Sequence, residues 1–287
     1  MRHVVVGVLL VGVFSGFTDC DACDPNKPGA SCSQSEPCTS GLYCGADGTC
    51  KAQTPPYLYA TDKIAKRLSF EIDYVQGQLP NQASIDAMLQ RLREMHGSGH
   101  VKKPEGVEYL VDDTVPAHAD PNHAYTFEEL QNMVNGNKNT RSNGRYASAY
   151  VLYVDGHSAD DNGASKVLGF AYDSDKIVIF KKTITEVCEN NGGLFAADIC
   201  RLTEASVLMH EFGHLLGLVN NGMSMHAAHQ DAAHAGHDVN DQCLMYWAIE
   251  TDSGVSMLLN RLLGGNSSLP SFDAACLQDL ADAQTVQ

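Results

Sequence analysis

The chain has 287 residues, 44% of them hydrophobic, and a formal charge of −16 at pH 7. That length and apolar content suffice for one full-sized core plus a smaller unit, which excludes a disordered chain. The charge repels phosphate backbones and anionic lipid, and no Lys/Arg run interrupts it, which speaks against nucleic-acid and membrane-surface binding.

Residues 1–19 read as a secretory signal peptide: Met1-Arg2-His3 is basic, and the apolar run from Val4 to Phe14 is too short to span a bilayer. No later segment is apolar for long enough to do so. Ten cysteines fit an oxidising destination, so the expected location is extracellular. The alternative is a lipid anchor at the cell surface through Cys20. Against it, Phe17-Thr18-Asp19 lacks small residues, and lipidating Cys20 leaves an odd number of thiols.

Cys20, Cys23, Cys32, Cys38, Cys44 and Cys50 make residues 20–50 a small disulfide-stapled module with little core of its own. It is expected either to bind a surface partner or to act as a spacer. Lys51 to Pro56, with two prolines, reads as a short stiff linker, and residues 57–287 as the main domain. There Leu68 to Val75 alternates as a half-buried strand, and Ser84 to Met95 places Ile85, Met88, Leu89 and Leu92 at helical spacing. Val107 to Val111 and Ala149 to Val154 are further strands, with a helix from Phe127 to Val134 between them. Leu168 to Tyr172 and Ile177 to Phe180 flank the turn-forming Asp173-Ser174-Asp175, as in a hairpin that ends on an edge strand. Thr203 to Val219 then reads as an amphipathic helix with Leu208, Phe212, Leu215 and Val219 on one face and Glu204 in its first turn.

That helix carries His210-Glu211-Phe212-Gly213-His214. Two imidazoles four residues apart project to one side of a helix and can hold one ion, while the intervening Glu211 can take a proton from water and return it to a leaving amine. Gly217 permits a sharp end to the helix, and Cys243-Leu244-Met245-Tyr246 follows. From about Leu202 to Trp247 the stretch resembles the metzincin pattern HExxHxxGxxH followed by a methionine turn. The resemblance implies an α+β, zincin-like domain with a twisted mixed sheet and an active-site helix. It also implies one catalytic Zn2+, a polypeptide substrate lying along the edge strand, and Met245 as an apolar floor beneath the metal-binding histidines.

One position departs from the pattern: Asn220 stands where the third ligand belongs, and a neutral amide is a poor zinc ligand. The following loop offers His226, His229, His234 and His237. His237 precedes Met245 by eight residues, the interval of the matrix-metalloprotease branch, and is the first choice. His229 is second, and Asn220 through its carbonyl oxygen third. Asp155-Gly-His157-Ser-Ala-Asp160-Asp161 is a candidate for a structural Ca2+ or second Zn2+, against a plain solvated loop. The economical disulfides are Cys188 to Cys200 and Cys243 to Cys276. The expected function is therefore a secreted zinc endopeptidase with His210, His214 and His237 on the metal and Glu211 as general base and acid. The alternatives are a catalytically silent zincin-like binding protein, favoured by Asn220, or an extracellular metal-binding protein using the His-rich loop.

Overall fold

The computed structural model describes residues 31, 42–44, 49–52, 55–162 and 165–285. The expected signal peptide, Cys20 and most of the cysteine-rich module lie outside them. Of the module, strands β1 (Leu42–Cys44) and β2 (Cys50–Ala52) pair antiparallel, with Cys44 opposite Cys50. Helix α1 (Pro55–Ala60) begins at two prolines, residues without an N–H that suit a first helical turn. The expected linker is thus shared between β2 and α1, and Leu58 and Tyr59 of α1 are already fully buried in the main core.

The remaining elements in chain order are β3 (Arg67–Val75), α2 (Gln82–Gly97), β4 (Val107–Val115), β5 (Ala124–Tyr125), α3 (Phe127–Asn137), β6 (Tyr146–Tyr153), β7 (His157–Ser158), β8 (Gly169–Tyr172), β9 (Lys176–Ile179), α4 (Lys181–Gly192), α5 (Ala196–Leu215), α6 (Asp252–Leu263) and α7 (Ala274–Ala283). The class is α+β with a mixed sheet. Its five strands run in the order β4-β3-β6-β9-β8, all neighbours parallel except β8, which returns antiparallel against β9 at the edge. Asp173 and Ser174, with φ of 51° and 63°, make that hairpin turn.

Both faces are covered at the sheet's centre, whereas β4 at one edge leaves Glu108, Leu110 and Asp112 exposed. Along β6, Ala147, Ala149, Val151 and Tyr153 enter the large core with the helices, whereas Tyr150 and Leu152 face the smaller one, with Leu130 and Val134 of α3. Helix α3 starts at a capping box formed by Thr126 and Glu129. Strand β3 is central rather than half-buried, and its polar positions are satisfied internally. Asp73 accepts from the Tyr150 hydroxyl at 2.8 Å and the Asp113 amide at 3.0 Å, while Glu71 accepts from the amides of Asn139 and Thr140 at 2.5 and 2.6 Å.

Helix α5 is longer at its start than the sequence pattern suggests and is buried on nearly every side, packed among α2, α4, α6, β8 and β9. Glu204 is therefore not in its first turn. It is fully buried in mid-helix, accepting from the Asn81 amide at 2.7 Å and pairing with Lys181. The disulfide Cys188 to Cys200 ties α4 to the start of α5. Tyr59 packs edge-on against Phe212, with centroids 5.6 Å apart. The segment around Tyr59 is held by the buried Lys103 ammonium, which donates to the carbonyls of Leu58, Thr61 and Ala65 at 2.7, 2.5 and 2.7 Å. Burial pushes the Lys103 pKa down to about 7.

Candidate metal centre

His210 and His214 lie one turn apart on α5, and their Nε2 atoms are 3.2 Å from each other. Zinc–nitrogen bonds of about 2.0–2.1 Å at a tetrahedral angle put two ligand nitrogens about 3.3–3.4 Å apart, so this spacing matches two ligands of one ion. The His210 ring is fixed by its other nitrogen, which donates to the Leu244 carbonyl at 2.7 Å and leaves Nε2 as the free lone pair. Burial first, and then His210, hold the His214 pKa well below its ordinary value, which favours the neutral ring, the form able to bind a metal.

After Leu215 the chain turns sharply through Gly217, φ 76°, and Val219 and Asn220 are also left-handed at 54° and 62°. This puts Asn220 on the exposed rim of the cleft, whose wall His214 also lines. The loop then doubles back. The Val239 amide donates to the His229 carbonyl at 2.9 Å, Asp231 to His237 at 2.8 Å, and Asp238 to Met245 at 2.8 Å. His234 stacks on Trp247 at 4.4 Å. These bonds clamp the loop to the methionine turn and carry His237 across to the pair on α5. Its ring centroid lies 5.2 Å from that of His210 and 4.9 Å from that of His214.

The four loop histidines separate by what their ring nitrogens do. His226 Nδ1 meets Asp282 at 2.7 Å and His234 Nδ1 meets Asp231 at 2.7 Å. His229 is bound on both sides, by Asp238 at 2.7 Å and Asp279 at 2.9 Å. In His237 both ring nitrogens are buried and lack a hydrogen-bond partner. His229, the second choice for a ligand, is thus occupied elsewhere. His229 and Asp238 belong to a second group of potential metal-holding side chains, with Asp273 and Cys276.

A further carboxylate that the sequence does not mark is Glu250, the last residue of a short 3-10 turn at Trp247–Glu250. Its carboxylate lies 3.6 Å from His210 Nε2, 4.0 Å from His214 Nε2 and 3.3 Å from His237 Nε2, so that all four ligand atoms fall within 4.8 Å of one another. Burial acts to raise its pKa, but its contacts with His210 and His237 and their charge outweigh burial and hold it below the usual carboxylate range. No motif marks this residue; position five after Met245 is the one signal that the chain offers.

Glu211 lines a cleft of about 520 Å³ together with β8 residues Phe170, Ala171 and Tyr172 and with His214 and Glu250. Neither of its buried carboxylate oxygens has a well-aligned hydrogen-bond partner. Burial, and then the charge of Glu250, raise its pKa well above the ordinary value, offset in part by the nearby Ala171 amide, which falls short of hydrogen-bond geometry. Three imidazole nitrogens and a carboxylate are the donor set of zinc, and unpartnered buried groups on His237 and Glu211 are costly unless a cation faces them. The residues therefore fit a Zn2+ ion.

Met245 is fully buried, and its thioether packs where a side chain on Gly213 would stand, which explains the glycine between the two helix histidines. Cys243 and Cys276, expected as a disulfide, are unbonded thiols 3.7 Å apart. They act as hydrogen-bonding groups: Cys243 Sγ accepts from the amides of Met245 and Asp273, each at 3.4 Å, and Cys276 Sγ donates to Asp238 at 3.5 Å. The Asp155 to Asp161 loop joins no cluster of three converging ligands among the described residues. Asp155 accepts from the Tyr125 hydroxyl at 2.6 Å and His118 amide at 3.1 Å, and Asp161 from the Val167 amide at 2.8 Å.

No sequence-family profile matches the chain, and no curated protein matches it. Among solved structures the chain is similar to an archaemetzincin from Methanopyrus kandleri, with 16% identity and a TM-score of 0.46 over 76% of this chain and 96% of that one. It is similar to a zinc-dependent peptidase from Methanocorpusculum labreanum at 16% identity and a TM-score of 0.43, over 74% of this chain and 99% of that one. It is also similar to metalloproteinase-II from Bacteroides fragilis at 14% identity and a TM-score of 0.41, over 86% of this chain and 66% of that one.

Proposed function

We propose that the protein is a secreted zinc-dependent endopeptidase, with His210, His214 and His237 as zinc ligands and Glu211 as general base and then general acid. The observation that carries this reading is the convergence of three imidazoles beside a buried, unpartnered carboxylate in one cleft. Zinc held there supplies Lewis acidity towards the scissile carbonyl and acidifies water. The chain's own groups do the rest. Among the described residues the outer side of β8 pairs with no strand, and an extended peptide adds along it by main-chain hydrogen bonds, next to Glu211. Glu211 takes a proton from the attacking water and delivers it to the leaving amine nitrogen, and the burial that raises its pKa above the ordinary carboxylate range favours its holding that proton between the two steps. Leu244, through its carbonyl, keeps His210 in one tautomer.

Two further parts of the reading rest on sequence alone: export by the N-terminal segment, and partner binding or spacing by the cysteine-rich module. No helix among the described residues is long and apolar enough to cross a membrane. The silent-scaffold alternative rests on Asn220, and the approach of the His237 ring to those of His210 and His214 weighs against it. The test is zinc content and casein-type proteolysis of the purified chain beside Glu211→Ala. One zinc per chain in both, with cleavage reduced at least about 10²–10⁴-fold in the variant, is the expected result. Stoichiometric zinc with no cleavage of varied polypeptides by the natural chain would reject the peptidase.

A further inference from the structure

Resting on the metal-centre reading above, we propose that Glu250 is a fourth protein ligand that closes the zinc site at rest and is displaced from it when a peptide enters the cleft. The geometry is that of co-ligands. Glu250 Oε1 and His237 Nε2 are 3.3 Å apart, the spacing of adjacent tetrahedral ligands at bonds of about 2.0–2.2 Å, yet they are not aligned as a hydrogen bond. Its other oxygen stands 3.6 and 4.0 Å from the nitrogens of His210 and His214. The carboxylate therefore occupies the fourth corner, the one that a catalytic site keeps for water and substrate and a structural site fills with protein.

The same residue is placed to leave. Its side chain is 27% exposed, against 0% for His210, and it forms part of the cleft wall. Its backbone is tied to the entry of β8: the Glu250 carbonyl accepts from the Leu168 amide at 2.8 Å, and Thr251 bridges to Val167. A peptide that adds to the outer edge of β8 thus runs past the carboxylate while the backbone beneath it stays fixed. The substrate carbonyl and the carboxylate compete for one corner, and the resting centre is shielded from small anions and idle hydrolysis.

The experiment uses the full chain loaded with Co2+, followed by visible absorption, together with Zn2+ affinity from competition with a chromophoric chelator. Natural chain, Glu250→Gln, Glu250→Ala and Glu250→Asp are compared, and acetohydroxamate serves as the probe for an open corner. Unchanged thermal unfolding of the metal-free forms identifies variants that fold. In these, Glu250→Gln and Glu250→Ala are expected to shift the cobalt bands, to weaken zinc binding about tenfold or more, and to bind acetohydroxamate more tightly than the natural chain. Glu250→Asp is expected to fall between. Cobalt spectra and zinc affinities within twofold of the natural chain would overturn the proposal and leave the metal centre standing. A natural chain that takes up no stoichiometric metal would overturn the metal-centre reading itself.

Discussion

His229 and His237 sit eight residues apart on one loop and end in opposite circumstances. His229 donates from both ring nitrogens to buried carboxylates, Asp238 and Asp279, and ties the loop to α7. His237 has no hydrogen-bonded nitrogen and faces two other imidazoles. The difference teaches that a histidine's role is set by what its nitrogens are bound to, not by its place in a His-rich tract. A ring held between two carboxylates is a charged strut. A ring with unpartnered nitrogens near two others is a candidate ligand. Asp238 links the two, since it braces His229 through its carboxylate and the methionine turn through its amide.

Substitutions should separate strut from centre. The largest effect on stability is expected from His229→Ala, which leaves the carboxylates of Asp238 and Asp279 buried and unpaired. About 3–5 kcal/mol should be lost in denaturant unfolding, while zinc stoichiometry of the folded fraction is kept. A smaller loss, about 1–3 kcal/mol, should follow Gly213→Ala, whose new methyl group overlaps the thioether of Met245 and crowds Phe272. Because Gly213 lies between His210 and His214, chelator competition should also show weakened zinc binding there, which His229→Ala should not show once folded.

The smallest effect is a pH dependence. Burial alone would lower the His229 pKa, but hydrogen bonds and charge from Asp238 and Asp279 outweigh it and raise it above the ordinary value. The folded state thus holds this proton more tightly than the unfolded chain. Its stabilisation is complete below the unfolded pKa of about 6.5 and fades as pH rises through the higher folded value. Melting curves from neutral to alkaline pH should show this decline in the natural chain and a flatter profile in His229→Gln. Equal slopes in both would assign the decline to other groups.

Much of the frame was legible because its signals are periodic. Alternation placed β3, short apolar runs placed β6 and, with the Asp173-Ser174-Asp175 turn, the β8–β9 hairpin, and the spacing of Ile85, Met88, Leu89 and Leu92 placed α2. The two helix histidines and Glu211 were legible because a four-residue spacing on a helix dictates a shared side. What stayed hidden depends on tertiary packing. The enclosure of α5 on nearly all sides, the buried position of Glu204, and the approach of Glu250 arise where distant segments meet, and none of these leaves a local pattern. The expected Cys243 to Cys276 disulfide was inferred from parity and proximity in sequence order, which do not report that both thiols serve as hydrogen-bond partners around the methionine turn. Loop register, set by the Asp231 and Val239 amides, is what separates His237 from His229.

The third imidazole of the centre is assigned to His237, and zinc per chain in His237→Ala beside His229→Ala, after dialysis against a weak chelator, tests that assignment. His237→Ala, folded by circular dichroism, should lose zinc while folded His229→Ala retains one ion per chain. Zinc retained in His237→Ala and lost in folded His229→Ala would contradict it and exchange the roles of strut and ligand.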